Sequence, residues 1–212
     1  MPSALPVPAP LLRVDTECHL IGATPALLAA LRLELTIDNP KYQAAKQFGR
    51  WIGKQLKPQL FFYREEEDAL IFPRGFGNQA VRLCRRIMGL GPVIEDHRRQ
   101  LPELDLKFCG ELRPYQQQAV TAVLGHSFGV LEAGTGSGKT IMALAIIAAR
   151  RQPTLIIVHS KELMYQWQER IEQFLGLDCG LAGDGRFDLR PLTVAIVNTA
   201  KNHLHDLPDH FG

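Results

Sequence analysis

Eight residues, Ala133-Gly134-Thr135-Gly136-Ser137-Gly138-Lys139-Thr140, restrict this chain more than any other segment. Glycine has no Cβ, so alternating glycines let the backbone turn its N–H groups inward around an anion. The apolar run Phe128 to Glu132 precedes the loop and reads as a strand, and the Ala-rich run Lys139 to Arg150 follows it as a helix. A loop in that position offers the positive end of a helix to a phosphate. Lys139 can then reach the outer phosphates, and the Thr140 hydroxyl can ligate Mg²⁺. The expected cofactors are therefore ATP and Mg²⁺. The expected binding residues are Gly134, Thr135, Gly136, Ser137, Gly138, Lys139 and Thr140, with Thr140 on the metal and Lys139 and Thr140 in the catalytic role. A glycine-rich loop that merely turns the chain would not need Lys-Thr at the start of a helix.

Downstream, strands and helices alternate: Pro153 to His159 is a strand, Lys161 to Leu175 an amphipathic helix, and Leu192 to Val197 another strand. This order implies a parallel sheet with right-handed crossovers. Upstream the pattern differs. Thr24-Pro25 starts a helix over 26–33, a short strand covers 35–37, and Asn39-Pro40 starts a second helix. Gln59 to Arg64 and Ala69 to Phe72 read as two strands joined by the acidic turn Glu65 to Asp68, with alternation sending Phe61 or Phe62 into the core. A helix around Ala80 to Met88 ends at Gly89, and Val93-Ile94 starts one more strand. The first hundred residues thus form a small α+β unit, and 101–110 is the expected linker.

Composition removes several alternatives. The 212 residues carry a formal charge of only +2, so nucleic-acid binding cannot be argued from net charge. The four cysteines lack CxxC spacing, which argues against zinc and against a secreted disulfide scaffold. The proline-rich start lacks a signal-peptide pattern, and no apolar run approaches the roughly 20 residues that span a bilayer. A cytoplasmic protein without membrane contact is expected.

Further motifs carry a resemblance. The phosphate loop has Ala133 where the strict pattern has glycine, and this A-x-x-G-x-G-K-T form is similar to that of superfamily-two helicases and translocases. Leu112-Arg113-Pro114-Tyr115-Gln116 resembles their Q motif, Ile156 to Leu163 with Gln166-Trp167 resembles motif Ia, and Thr193 to Ala200 resembles the next nucleic-acid-contacting motif. Leu35 to Tyr42, Phe48 to Trp51 and Ile71 to Phe76 resemble an accessory domain of the XPB-like and type III restriction-subunit branch. The resemblance implies a small α+β N-terminal domain (1–100), then, from 111 to 212, the N-terminal part of a RecA-like P-loop parallel-sheet lobe. It implies that Gln116, with Arg113 or Tyr115 beside the base, reads adenine, and that Ser160, Lys161, Asn198 and Thr199 touch a nucleic-acid backbone. As a helix cap, Ser160 would use the same helix end. No DExx motif follows an apolar strand here. The expected partners therefore include the rest of the motor, with that motif and a second lobe, in cis or in trans, and little activity is expected of this chain alone.

Between Asn39 and Arg64 there is no Asp or Glu, while Lys41, Lys46, Arg50, Lys54, Lys57 and Arg64 alternate with aromatic residues. Cations neutralise phosphates and aromatic faces stack on bases. Lys41, Lys46, Arg50, Trp51, Lys54 and Arg85 are the expected nucleic-acid contacts, with DNA preferred to RNA. The leading functional reading is an ATP-dependent nucleic-acid helicase or translocase. The alternative is a non-catalytic nucleic-acid-binding module with a vestigial nucleotide loop. A P-loop small-molecule kinase would leave the Q-like segment unexplained.

Overall fold

Strands β1 (Leu11–Val14) and β2 (Glu17–Ile21) form an antiparallel hairpin whose turn is held by Asp15, its carboxylate accepting the Glu17 N–H at 2.9 Å. The computed structural model describes residues 8–53, 55–207 and 210–211. Helix α1 (Pro25–Glu34) begins as its sequence requires, with Thr24 accepting the Leu27 N–H and Pro25 needing no donor partner. Strand β3 (Thr36–Asp38) leads to α2 (Pro40–Gln47), capped by Asn39. There follow β4 (Gln59–Phe61), β5 (Arg64–Glu66), β6 (Ala69–Pro73), α3 (Gly77–Met88) and β7 (Val93–Asp96). The larger sheet has the order β5-β6-β2-β1-β7, with β7 parallel to β1 and the other pairs antiparallel. Leu12, Leu20, Leu70 and Phe72 from the sheet meet Leu27, Leu31 and Leu83 from the helices in one core. Each such fully buried side chain contributes roughly 1.5–3 kcal/mol.

The expected strand over 59–64 is broken. β4 leaves the larger sheet to pair with β3 as a two-stranded ribbon, and the chain re-enters at β5. Glu65 and Glu66 consequently lie in a strand rather than a turn, and the turn is Glu67-Asp68, with Glu67 at φ 36°. Neither Phe61 nor Phe62 enters a core: both rings are exposed.

The chain divides into two compact units between Arg98 and Arg99. The segment 101–110, expected as a linker, runs with the second unit. The Leu104 and Cys109 N–H groups donate to the Arg151 and Phe174 carbonyls, each at 2.8 Å, and Phe108 stacks on Phe174. That unit contains α4 (Pro114–Leu124), α5 (Lys139–Arg150), β8 (Thr154–Val158), α6 (Lys161–Leu175), β9 (Gly180–Gly183), β10 (Arg186–Phe187), β11 (Leu192–Ile196) and α7 (Val197–Asn202). The sheet order is β10-β9-β11-β8, in which β9, β11 and β8 are parallel. The apolar stripe of α6, notably Met164, Ile171 and Leu175, packs with Leu144 and Ile147 of α5 and Leu181 and Val194 of the sheet.

One expected strand is not formed. Phe128 to Glu132 has no strand pairing, and Phe128 and Val130 are exposed. Strand structure requires a hydrogen-bonded neighbour. Among the described residues no strand pairs with this segment.

Candidate nucleotide and nucleic-acid sites

The phosphate loop enters α5 through Gly138, whose φ of 83° is in the left-handed region, and Gly136 lies there too at 79°. A Cβ on Gly138 would overlap the Gln116 amide nitrogen, so glycine is required there both for φ and for room. Lys139 donates from Nζ to the carbonyls of Ala133 and Gly134, both at 2.9 Å. Its ammonium thus closes a ring with the loop it belongs to. Among the described residues the buried Ser137 hydroxyl has no hydrogen-bond partner, a polar atom in the loop still able to take one. Thr140 is half-buried in the first turn of α5, and Gly134, Thr135 and Gly136 are exposed.

Gln116 is buried, unlike an ordinary surface residue of α4. Its Oε1 accepts the Arg113 N–H at 2.9 Å, fixing the helix start, while Nε2 donates to the Ser137 carbonyl at 2.9 Å. The structure therefore joins the Q-like segment to the phosphate loop. It also engages both ends of the amide expected to read adenine. Tyr115, expected as the alternative to Arg113 beside the base, donates its hydroxyl to the same Ser137 carbonyl at 3.0 Å. Arg113 is exposed at the N-cap of α4.

The motif residues that follow the strands converge. Val158 and Ile196 are paired ends of the parallel strands β8 and β11, and Ser160 and Asn198 each lie two residues beyond them. Ser160 caps α6 by accepting the Leu163 N–H. Lys161 has its Nζ 3.9 Å from Asp184. Asn198 is exposed and Thr199 half-buried in the first turn of α7. The sequence reading missed the β9–β10 hairpin beside Lys161. Asp184, at φ 51° in its turn, accepts the Tyr165 hydroxyl at 2.9 Å, and this bond raises the Tyr165 pKa. Arg186 lies over the Tyr165 ring at 5.8 Å. Four residues of the type Gly-Leu-Ala-Gly give little strand signal; the Asp184-Gly185 pair was the legible hairpin cue.

In the first unit, Asn39 organises the acid-free stretch. Its side chain accepts the Lys41 N–H at 3.1 Å and donates to the Lys57 carbonyl at 2.8 Å, bringing both ends of the segment together. Lys41, Lys46, Arg50 and Trp51 are exposed on α2 and the loop after it. Lys54 lies outside the described residues. Arg85 is exposed on α3, which packs on α1, so the bonds that gather the α2 residues do not include it. Arg64, also counted in the basic stretch, is engaged by Glu17 and Glu66.

Residues 110–211 match the family described as type III restriction enzyme, res subunit. These matches support a relationship of residues 110–211 to superfamily-two helicases of the XPB-like and type III restriction-subunit branch, over the first part of the motor. The DNA 3'-5' translocase XPB2 of Sulfurisphaera tokodaii is 39% identical over 101 residues, covering 48% of this chain and 23% of that protein. The DNA 3'-5' helicase XPB of Kineococcus radiotolerans is 33% identical over 87 residues, covering 40% of this chain and 16% of that one. The matches thus span less than a quarter of these relatives. The crystal structure of T4 UvsW superposes with a TM-score of 0.62 over 91% of this chain and 43% of the other, at 14% identity, a likeness of fold. The superfamily-two assignment agrees with the mixed α/β architecture and its parallel, partial RecA-like sheet.

Proposed function

We propose that this chain is the ATP-binding front part of a helicase or translocase that couples ATP hydrolysis to movement on DNA. The observation that carries the reading is the Ala133–Thr140 loop. Two left-handed glycines deliver Lys139 and Thr140 to the start of a twelve-residue helix, and Gln116 and Tyr115 brace the loop from behind. The donor set fits a nucleotide: an ammonium, a hydroxyl without a partner and the N-terminus of a helix. In this reading Lys139 exchanges the Ala133 and Gly134 carbonyls for the outer phosphate oxygens. The Thr140 hydroxyl would hold Mg²⁺, which neutralises charge between phosphate oxygens when bound. Gln116 reads the adenine edge by exchanging one of its present partners, with Arg113 beside the base.

Ser160, Lys161, Asn198 and Thr199 then contact the backbone of the tracked strand at adjacent strand ends. Lys41, Lys46 and Arg50 of the first unit add phosphate contacts, with Lys54 and Arg85 as further candidates. The names of the relatives, a DNA translocase and a DNA helicase, favour DNA over RNA. The rest of the motor, its DExx motif and second lobe, is the expected partner.

Calorimetry with ATP and ADP tests the nucleotide site. Weak binding is expected for the chain, and loss of it in Lys139→Ala. Equal affinity in the two proteins would overturn the assignment.

A further inference from the structure

We propose that the loop after α2 is a stacking platform for unpaired DNA bases, with Trp51 as its principal face. The inference rests on the reading that the acid-free stretch binds nucleic acid, and it names the form that is bound.

Trp51 is 89% exposed, an unusual state for the largest apolar side chain. Its indole is nevertheless seated. A Cβ on Gly53 would stand 2.9 Å from Cζ3 and 3.1 Å from Cη2, so the ring lies against the backbone of Gly53 and uses the room that glycine leaves. One side of the ring is supported and the rest faces solvent. Phe48, 67% exposed, lies in the same loop with the Arg50 guanidinium 5.7 Å from its centroid.

Among the described residues, the cations of this stretch lack the carboxylate partners that several arginines of the unit have, and in this they resemble Arg74, Arg82 and Arg85. Arg13, Arg32, Arg64, Arg86 and Arg98 each pair with a carboxylate. Among the described residues, Lys41, Lys46, Arg50 and Lys57 make no ion pair. Unpaired cations beside seated, exposed aromatic rings complement a polyanion that carries flat apolar groups. In a perfect duplex the base faces are covered by their neighbours, so a ring in this position can stack only on a base outside the helical stack. The partner is therefore single-stranded DNA, or the unpaired part of a junction, rather than continuous duplex.

Fluorescence anisotropy of the 212-residue chain with a labelled oligo(dT), a blunt duplex of the same length and an oligo(rU), each at two salt concentrations, tests this. The chain is expected to bind oligo(dT) more tightly than the duplex, with the advantage largest at high salt, where phosphate contacts weaken. Trp51→Ala should weaken oligo(dT) binding about 5-fold to 100-fold, the range for one lost stacked base, and change duplex binding less than about 2-fold. Trp51→Phe should recover part of the loss. Gly53→Ala, which removes the seat, should also weaken oligo(dT) alone. Circular dichroism and melting check that each variant is folded; for the exposed Trp51 little change is expected. Absence of binding to all three nucleic acids would overturn both the basic-stretch reading and this inference. Binding of oligo(dT) and duplex with equal or no dependence on Trp51 would overturn the stacking platform alone. Tighter, Trp51-dependent binding of oligo(rU) would overturn the choice of DNA.

Discussion

At the scale of single residues, the phosphate loop shows how identical glycines carry unequal demands. Gly134 has no atom within 4 Å of an added Cβ and its φ is not positive; Gly136 has the same space but φ 79°; Gly138 has φ 83° and the Gln116 amide in the way. Alanine at the three positions is therefore expected to act in order. Gly134→Ala should leave stability within about 0.5 kcal/mol, Gly136→Ala should lower it by about 1–2 kcal/mol through left-handed strain, and Gly138→Ala should lower it further. Urea denaturation of the three variants measures the order, and a Gly138→Ala protein as stable as Gly134→Ala would contradict it. ATP affinity should fall most in Gly138→Ala, because a displaced Gln116 no longer braces Ser137. The motif was legible in the sequence because its spacing is local. The brace was not, since it depends on a residue twenty-one positions away and on burial that one sequence does not disclose.

Among the elements, those bounded by local chemistry were the readable ones. Thr24-Pro25, Asn39-Pro40 and Gly89 fixed helix ends that the structure reproduces, and the period of α6 identified its buried stripe. The departures occur where pairing decides. Phe128 to Glu132 has strand composition without a neighbour, and Gln59 to Arg64 is shared between two different partners. Re-entry of the chain at β5 is tied to β2 by Arg64, whose Nη1 donates to Glu17 at 2.7 Å. That bond holds the Glu17 carboxyl below its usual range, and the Glu17 N–H does the same for Asp15. Both groups bind protons less readily when folded. Their contribution is present at neutral pH and is lost as pH falls from the unfolded values near about 4 through the lower folded ones. The Arg64–Glu17 pair is half-exposed, so solvent screening keeps its contribution small. Protection of the peptide covering β2 against hydrogen exchange, taken relative to the intrinsic rate at each pH, should fall below about pH 4.5, and Glu17→Gln should make that fall shallower. An identical pH dependence in the variant would show that this pair does not anchor the sheet.

For the molecule as a whole, nucleotide binding and nucleotide turnover make different demands. In the proposed reading, binding needs the loop and its helix, both within the second unit. Turnover also needs a carboxylate to orient the attacking water and a cation to neutralise the transition state, the latter alone on the order of 10³–10⁵ in rate. Among the described residues, the carboxylate that directly follows one of the parallel strands is Asp184, after β9. It is already engaged by Tyr165 at 2.9 Å and by Lys161 at 3.9 Å, in a hairpin turn. β8 is followed by His159 and β11 by Val197, neither of which can hold a metal-bound water as a carboxylate does. The 212-residue chain by itself is therefore expected to bind ATP yet release phosphate no faster than a Lys139→Ala control, with or without DNA, in a coupled phosphate assay. DNA-stimulated turnover that Lys139→Ala abolishes would mean that these residues contain a complete hydrolytic site. Restoration of turnover by adding the proposed remaining motor parts in trans would instead separate the two demands, assigning binding to this chain and hydrolysis to the assembled motor.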